Sequence, residues 1–195
     1  RDITELDLIR DRYNLPQGDY LLGLGSLSPH KNLPNMLAAY TLLYQEHRQT
    51  PPLVLIGRRS AEHEKLLADL PVEVAQTIRF AGFVEDADLP AIYSGASVFL
   101  FVSRAEGFGL PPLESLRCGT PVVVSNTTSL PEVVGDAGLH APPEDPEAIA
   151  TAVWSLLSDA TLYATLRERG LKRAALYTWE RCVEGLYTQY QAMLS

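Results

Sequence analysis

Cysteine is scarce in this chain, with two residues among 195. Neither Cys118 nor Cys182 falls in a metal-ligand spacing, so a disulfide framework and a cysteine-held zinc are both excluded. Cys118 closes an apolar helical stretch and reads as a buried core thiol. Basic residues are the minority, 16 Lys and Arg against 24 Asp and Glu, for a net charge of −8. That sign excludes nucleic acid and an anionic membrane surface as main partners of this segment. No apolar run reaches the roughly 20 residues of a membrane span. The start, Arg1-Asp2-Ile3-Thr4, has neither Met nor a signal peptide. It reads as a cut from a longer protein, expected in the cytoplasm or, through a missing half, at the cytoplasmic face of a membrane. No internal repeat or low-complexity tract stands out.

What is present is ordinary for a globular protein: 46% apolar and 21% charged residues. The length suits one domain over residues 1–195 with an ample core. Apolar residues at Ile3, Leu6, Ile9 and Tyr13 predict a helix over Asp2–Tyr13. A strand follows at Tyr20–Gly25, then the loop Ser26–Asn32 and a helix striped by Leu33, Leu37, Tyr40 and Tyr44. Further strands are expected at Leu53–Ile56, Thr77–Phe80, Val98–Val102, Val122–Val124 and Leu139–His140. Helices are expected at Ala61–Leu70, Leu89–Ala96, after Gly109, and at Glu147–Leu157, Thr161–Tyr177 and Glu180–Leu194. Alternation of this kind implies a Rossmann-like α/β fold, a parallel sheet with helices on both faces and a helical C-terminal tail. Ligands of such sheets bind beyond the carboxyl ends of the strands. The loops there carry the glycine turns and most of the unusual residues.

The chain is organised around Glu106-Gly-Phe-Gly-Leu-Pro-Pro-Leu-Glu114. A buried strand runs in and a helix runs out, because proline suits a helix start whose N–H has no partner anyway. Gly107 and Gly109 permit a sharp turn and close ligand approach. The exposed N–H groups and positive dipole end suit a phosphate. Alone, the two carboxylates mean little, and Glu114 can pair with Arg117 on a solvated face.

With its glycine turn, the stretch resembles the E-x7-E signature of retaining GT-B glycosyltransferases of the glycogen synthase and sucrose synthase type, family 4. The resemblance covers nearly the whole chain. It implies that Glu106 contacts a donor sugar, that Gly107, Phe108, Gly109 and Leu110 hold sugar and diphosphate through backbone amides, and that Glu114 binds the ribose hydroxyls. Gly25-Ser-Leu-Ser-Pro-His-Lys31 is similar to the family's first donor loop, with Lys31 meeting the diphosphate in place of a metal. Many relatives carry Arg where this chain has Ser26, so one positive charge is lost. Arg58 and Arg59 can replace that charge or be plain surface residues. Gly82-Phe83-Val84 resembles the loop that brackets the nucleotide base, with backbone groups of Val84; Phe83 can equally be core. Thr127–Gly138 matches as well and reads as structural, with Pro131 starting a short helix.

The resemblance implies the donor-binding half of a hexosyltransferase using a GDP- or UDP-linked sugar, with the loop form pointing towards mannose and polysaccharide synthesis. It implies no cofactor and no metal. An N-terminal GT-B domain, in the same chain or a partner, would hold the acceptor, and the isolated half should transfer little. A non-catalytic nucleotide-sugar-binding module, or a subunit of a split transferase, is the competing class. A third reading comes from Gly23-Leu-Gly-Ser-Leu-Ser28, near the G-x-G-x-x-G dinucleotide fingerprint. With Arg58 after the second strand it would suit NADP, but it leaves Glu106 and Glu114 unexplained. His30 can touch phosphate or simply be exposed; His47, His63 and His140 have no evident companions.

Overall fold

The central strands are apolar on both faces, and that decides the layering. The computed structural model describes residues 3–194. In chain order the elements are α1 (Ile3–Arg12), β1 (Leu21–Leu24), a 3-10 turn (Pro29–Lys31), α2 (Leu33–Glu46), β2 (Leu53–Ile56), α3 (Ala61–Ala68), α4 (Val72–Ala75), β3 (Ile78–Gly82), α5 (Leu89–Gly95) and β4 (Val98–Phe101). There follow α6 (Leu110–Arg117), β5 (Val122–Ser125), α7 (Leu130–Val134), a second 3-10 turn (Gly135–Ala137), β6 (Leu139–Ala141), α8 (Pro146–Ser158), α9 (Ala160–Ala174) and α10 (Trp179–Leu194). The strands form one sheet in the order β3-β2-β1-β4-β5-β6, and every pair is parallel.

Alternate residues of each strand feed opposite layers. Leu21, Leu53, Leu55, Val98, Leu100 and Val123 pack with the buried stripes of α2 and α8. Leu22, Val54, Phe99, Phe101, Val122 and Val124 pack with residues of α1, α5, α6 and α7. Each such fully buried side chain contributes about 1.5–3 kcal/mol. Strands covered on both sides must be continuously apolar, which is why they are legible as unbroken runs.

The expected start of α1 at Asp2 lies outside the described residues, as do the side chains of Ile3 and Leu6; Ile9 and Tyr13 are buried. The third strand runs two residues further than expected, to Gly82, with a register shift opposite Leu55 and Ile56. The expected helix over Ala61–Leu70 stops at Ala68, and the short α4 follows, starting after Pro71. Cys118 is half-buried against the core and not the fully buried thiol expected. In the helical tail, α10 has no buried residue. No single helix among the described residues is long and apolar enough to cross a membrane.

Candidate functional site

Strand order reverses between β1 and β4, which pair directly through Leu21–Val98, Leu22–Phe99 and Gly23–Leu100. Loops leaving two such strands diverge and open a crevice at their carboxyl ends. The first motif loop follows β1 and the second follows β4, so both meet there. Asn32 holds the first loop in place. It is fully buried, sits in the left-handed region at φ 59°, and donates from Nδ2 to the carbonyls of Val102 at 2.9 Å and Pro143 at 2.6 Å. Asn tolerates that backbone better than most side-chain-bearing residues. Arg104 adds two ties, its backbone N–H to the His30 carbonyl and its guanidinium to that of Pro29, each 2.7 Å. The guanidinium also binds Glu144, whose pKa is held below the ordinary carboxylate value chiefly by that hydrogen bond.

These ties carry Lys31 to the second loop. Its ammonium lies 2.7 Å from Glu106 Oε1, and both side chains are largely buried. The ammonium also stands over the Phe101 ring, 5.1 Å from its centroid.

The two glycines of the turn differ in kind. Gly109 caps α6 at φ 115°, and a Cβ there would come within 2.8 Å of Leu130 Cδ2. Gly107 is not in the left-handed region, and an added Cβ would meet nothing within 4 Å. Leu110 begins α6, with Pro111 and Pro112 next, where their missing N–H groups also cost nothing. The Thr128 hydroxyl accepts from the Glu106 N–H at 3.1 Å, and Ser129 donates to the carbonyls of Glu106 and Phe108 at 3.1 and 2.7 Å. The N–H groups of Gly107, Phe108, Gly109 and Leu110 have no acceptor among the described residues. A bent backbone with four unengaged donors at a helix start can receive an anion or sugar oxygens. Phe108 is half exposed, its ring edge-on to Tyr177 at 5.8 Å.

Beside this lies a cleft of about 420 Å³. Leu24, Ile56, Leu89 and Tyr93 form its apolar walls, and Arg58, Phe83, Val84, Pro111 and Glu114 complete it. Phe83 is 63% exposed, so it is not the core residue it could have been, whereas Val84 is buried. The Tyr93 hydroxyl donates to Glu114 Oε2 at 3.1 Å. Burial first, and the neighbouring Glu114 carboxylate second, push the Tyr93 pKa up. Glu114 forms no ion pair with Arg117 among the described residues. Arg58 faces this cleft, but Arg59 turns to Glu64 at 2.7 Å and over Phe80.

Two groups of sequence-selected residues thus assemble: Lys31 and Glu106 with Gly107 to Leu110, and Arg58, Phe83 and Val84 with Glu114. Gly25 and Ser26 open the first loop, where the Ser26 hydroxyl accepts from the Ser28 N–H at 3.3 Å, but neither lines the cleft. His30 is exposed, His47 stacks on Trp154, and His140 bonds the Gly135 carbonyl. His63 is buried and reaches the Gly25 carbonyl at 2.6 Å. No three His, Cys, Asp or Glu side chains among the described residues are grouped to hold a metal ion. The dinucleotide reading fares poorly. Gly23 lies inside β1, where a Cβ would strike Met36 Sδ at 2.6 Å, and α2 starts only at Leu33. Asn32, Tyr93 and Arg104 had no site role legible in the sequence, and Thr128 and Ser129 lie in the Thr127–Gly138 run that reads as structural. Asn immediately before a Leu-Pro helix start was the one available signal.

An all-parallel sheet in the order 3-2-1-4-5-6, with its crevice at the β1–β4 reversal, defines the class: a Rossmann-like α/β domain of the GT-B fold. The chain belongs to the glycosyl transferases group 1 family, whose family model matches residues 7–173. It is 41% identical over 186 residues to the O-antigen chain mannosyltransferase B of Escherichia coli, covering 95% of this chain and 49% of that protein. It is 36% identical over 174 residues to a serotype-specific mannosyltransferase WbdA of Escherichia coli, covering 88% of this chain and 21% of the relative. Among solved structures, the sucrose-phosphate synthase from Thermosynechococcus elongatus matches with a TM-score of 0.79 at 29% identity, over 95% of this chain and 48% of that one. The chain therefore spans half or less of the length of these curated relatives.

Proposed function

We propose that this chain is the donor-binding half of a retaining family-4 glycosyltransferase. It moves a hexose, mannose in our reading, from a GDP- or UDP-linked donor to an acceptor hydroxyl in surface-polysaccharide synthesis. The observation that carries this is the meeting of Lys31 and Glu106 at 2.7 Å beside the four unengaged amides of the glycine turn. The nucleoside occupies the cleft, its ribose hydroxyls on Glu114 and its base against Phe83 and Val84. Arg58 faces the same cleft and supplies a positive charge where Ser26 has none.

Departure of the diphosphate builds negative charge on its oxygens, and the Lys31 ammonium with the turn amides stabilises it without a resident metal. An ammonium has three protons, so Lys31 can keep Glu106 while meeting a phosphate. Glu106 orients the sugar and opposes the positive character that develops at the anomeric carbon; no general-base role is assigned to it. The acceptor site belongs to the other half of the protein, which closes over the donor and excludes water. The exposed Trp179, Val183, Leu186, Tyr187 and Tyr190 of α10 form an apolar stripe suited to packing against that half. The names of the two mannosyltransferase relatives support the mannose assignment.

A thermal-shift titration with GDP, UDP and their sugar conjugates tests the reading. Saturation at about 100 times Kd contributes about 2.7 kcal/mol and raises Tm by about 5–10 °C. No shift with any nucleoside diphosphate refutes the donor site. Product anomer analysis by NMR on the two-half protein tests retention.

A further inference from the structure

His63 is the third residue of α3 and is almost fully buried. Both ring nitrogens are engaged. Nδ1 accepts the backbone N–H of Ser60 at 3.1 Å, and Nε2 lies 2.6 Å from the Gly25 carbonyl oxygen. A backbone N–H can only donate and a carbonyl can only accept, so the partners assign a neutral ring with its proton on Nε2. Phe80 packs edge-on against the imidazole, with centroids 5.0 Å apart. The contact links two segments 38 positions apart.

Gly25 follows β1 directly and begins the loop that leads to Lys31. In a planar trans peptide the carbonyl of one residue and the N–H of the next point in opposite directions. Drawing the Gly25 carbonyl to His63 therefore turns the Ser26 N–H the other way. That N–H has no acceptor among the described residues. Were the peptide to flip, a carbonyl lone pair would take its place, which would repel a phosphate oxygen. An apolar side chain would fill the space under Gly25 equally well but would leave the peptide free to turn.

We propose that His63 is a positioning residue of the donor site: by anchoring the Gly25 carbonyl it presents the Ser26 N–H to the donor diphosphate. This rests on the crevice being the donor site. The test uses His63→Asn, which retains an acceptor for the Ser60 N–H but is too short for Gly25, and His63→Gln, whose longer amide reaches it. Calorimetry compares GDP and UDP with guanosine and uridine, and amide hydrogen exchange follows Gly25 and Lys31. His63→Asn weakens both diphosphates about tenfold while nucleosides change less than about twofold, and His63→Gln recovers most of the loss. His63→Asn also speeds exchange of the two amides. Wild-type diphosphate affinity in His63→Asn, or equal losses for nucleosides and diphosphates, overturns the proposal. If the unsubstituted chain binds neither diphosphate, the donor-site reading itself falls, and the proposal falls with it; unchanged exchange in His63→Asn overturns the anchoring independently. His63→Leu replaces His63→Asn, with the same outcomes, if the latter does not fold.

Discussion

Replacing Lys31 by Met removes the ammonium from Glu106 while keeping most of the side-chain volume. The two side chains are 22% and 13% exposed, and N to O is 2.7 Å. Exposed pairs contribute about 0–1 kcal/mol, whereas stripping one partner from a buried pair costs about 3–5 kcal/mol. This pair lies between, so Lys31→Met should cost about 1–3 kcal/mol of stability. For a chain of this size, Tm falls about 2–4 °C per kcal/mol. Glu106→Gln in the Lys31→Met background removes the stranded carboxylate and should restore most of the loss. Urea denaturation of the four proteins closes the cycle, and a coupling of about 1 kcal/mol or more is expected. In calorimetry, Lys31→Met should weaken GDP and UDP about 10- to 150-fold, as losing a charge-assisted hydrogen bond of about 1.5–3 kcal/mol requires, and leave guanosine and uridine unaltered. Additive stabilities, within about 0.5 kcal/mol, would mean that the pair does not form. Equal losses for nucleoside and diphosphate would remove the phosphate role from Lys31.

The two glycines of the turn should separate fold from binding. Gly109→Ala combines a left-handed backbone with a 2.8 Å contact to Leu130 and should cost about 2–4 kcal/mol by denaturation, whereas Gly107→Ala meets no protein atom and should leave stability within about 0.5 kcal/mol while weakening GDP and UDP. Glu114→Ala should weaken nucleotide and nucleoside alike, because it removes a ribose contact, with the fold intact by circular dichroism; unchanged affinity would exclude that role. Asn32→Gly should be milder than Asn32→Ala by about 1 kcal/mol in denaturation, because glycine accepts the left-handed backbone of that buried cap. Tyr20 and Tyr93 have pKa values raised first by burial. A raised folded value means their stabilisation is full below the unfolded value of about 10 and is lost as pH rises above it. Ultraviolet titration should show both phenols silent until alkaline unfolding, and reversible ionisation in the folded chain would contradict their burial.

By itself the amino-acid order determined the alternation of strands and helices, because sheet strands buried on two faces must be apolar throughout and amphipathic helices repeat along one side. It also determined the Glu106–Glu114 turn, whose glycines and prolines act on their immediate neighbours. Boundaries moved where local signals conflicted: Pro71 separated α4 from α3, and β3 ran on to Gly82. The tertiary structure alone decided that β1 and β4 are adjacent, and with that the meeting of Lys31 and Glu106, 75 positions apart. It decided which glycine is strained and which stands open, that Phe83 is exposed, and that Arg58 and Arg59 diverge. Asn32, His63 and Arg104 took their places in the same way. Each makes its key contact with a segment remote in sequence, and strand order, which sets those distances, follows from how whole layers pack and not from any local run of residues.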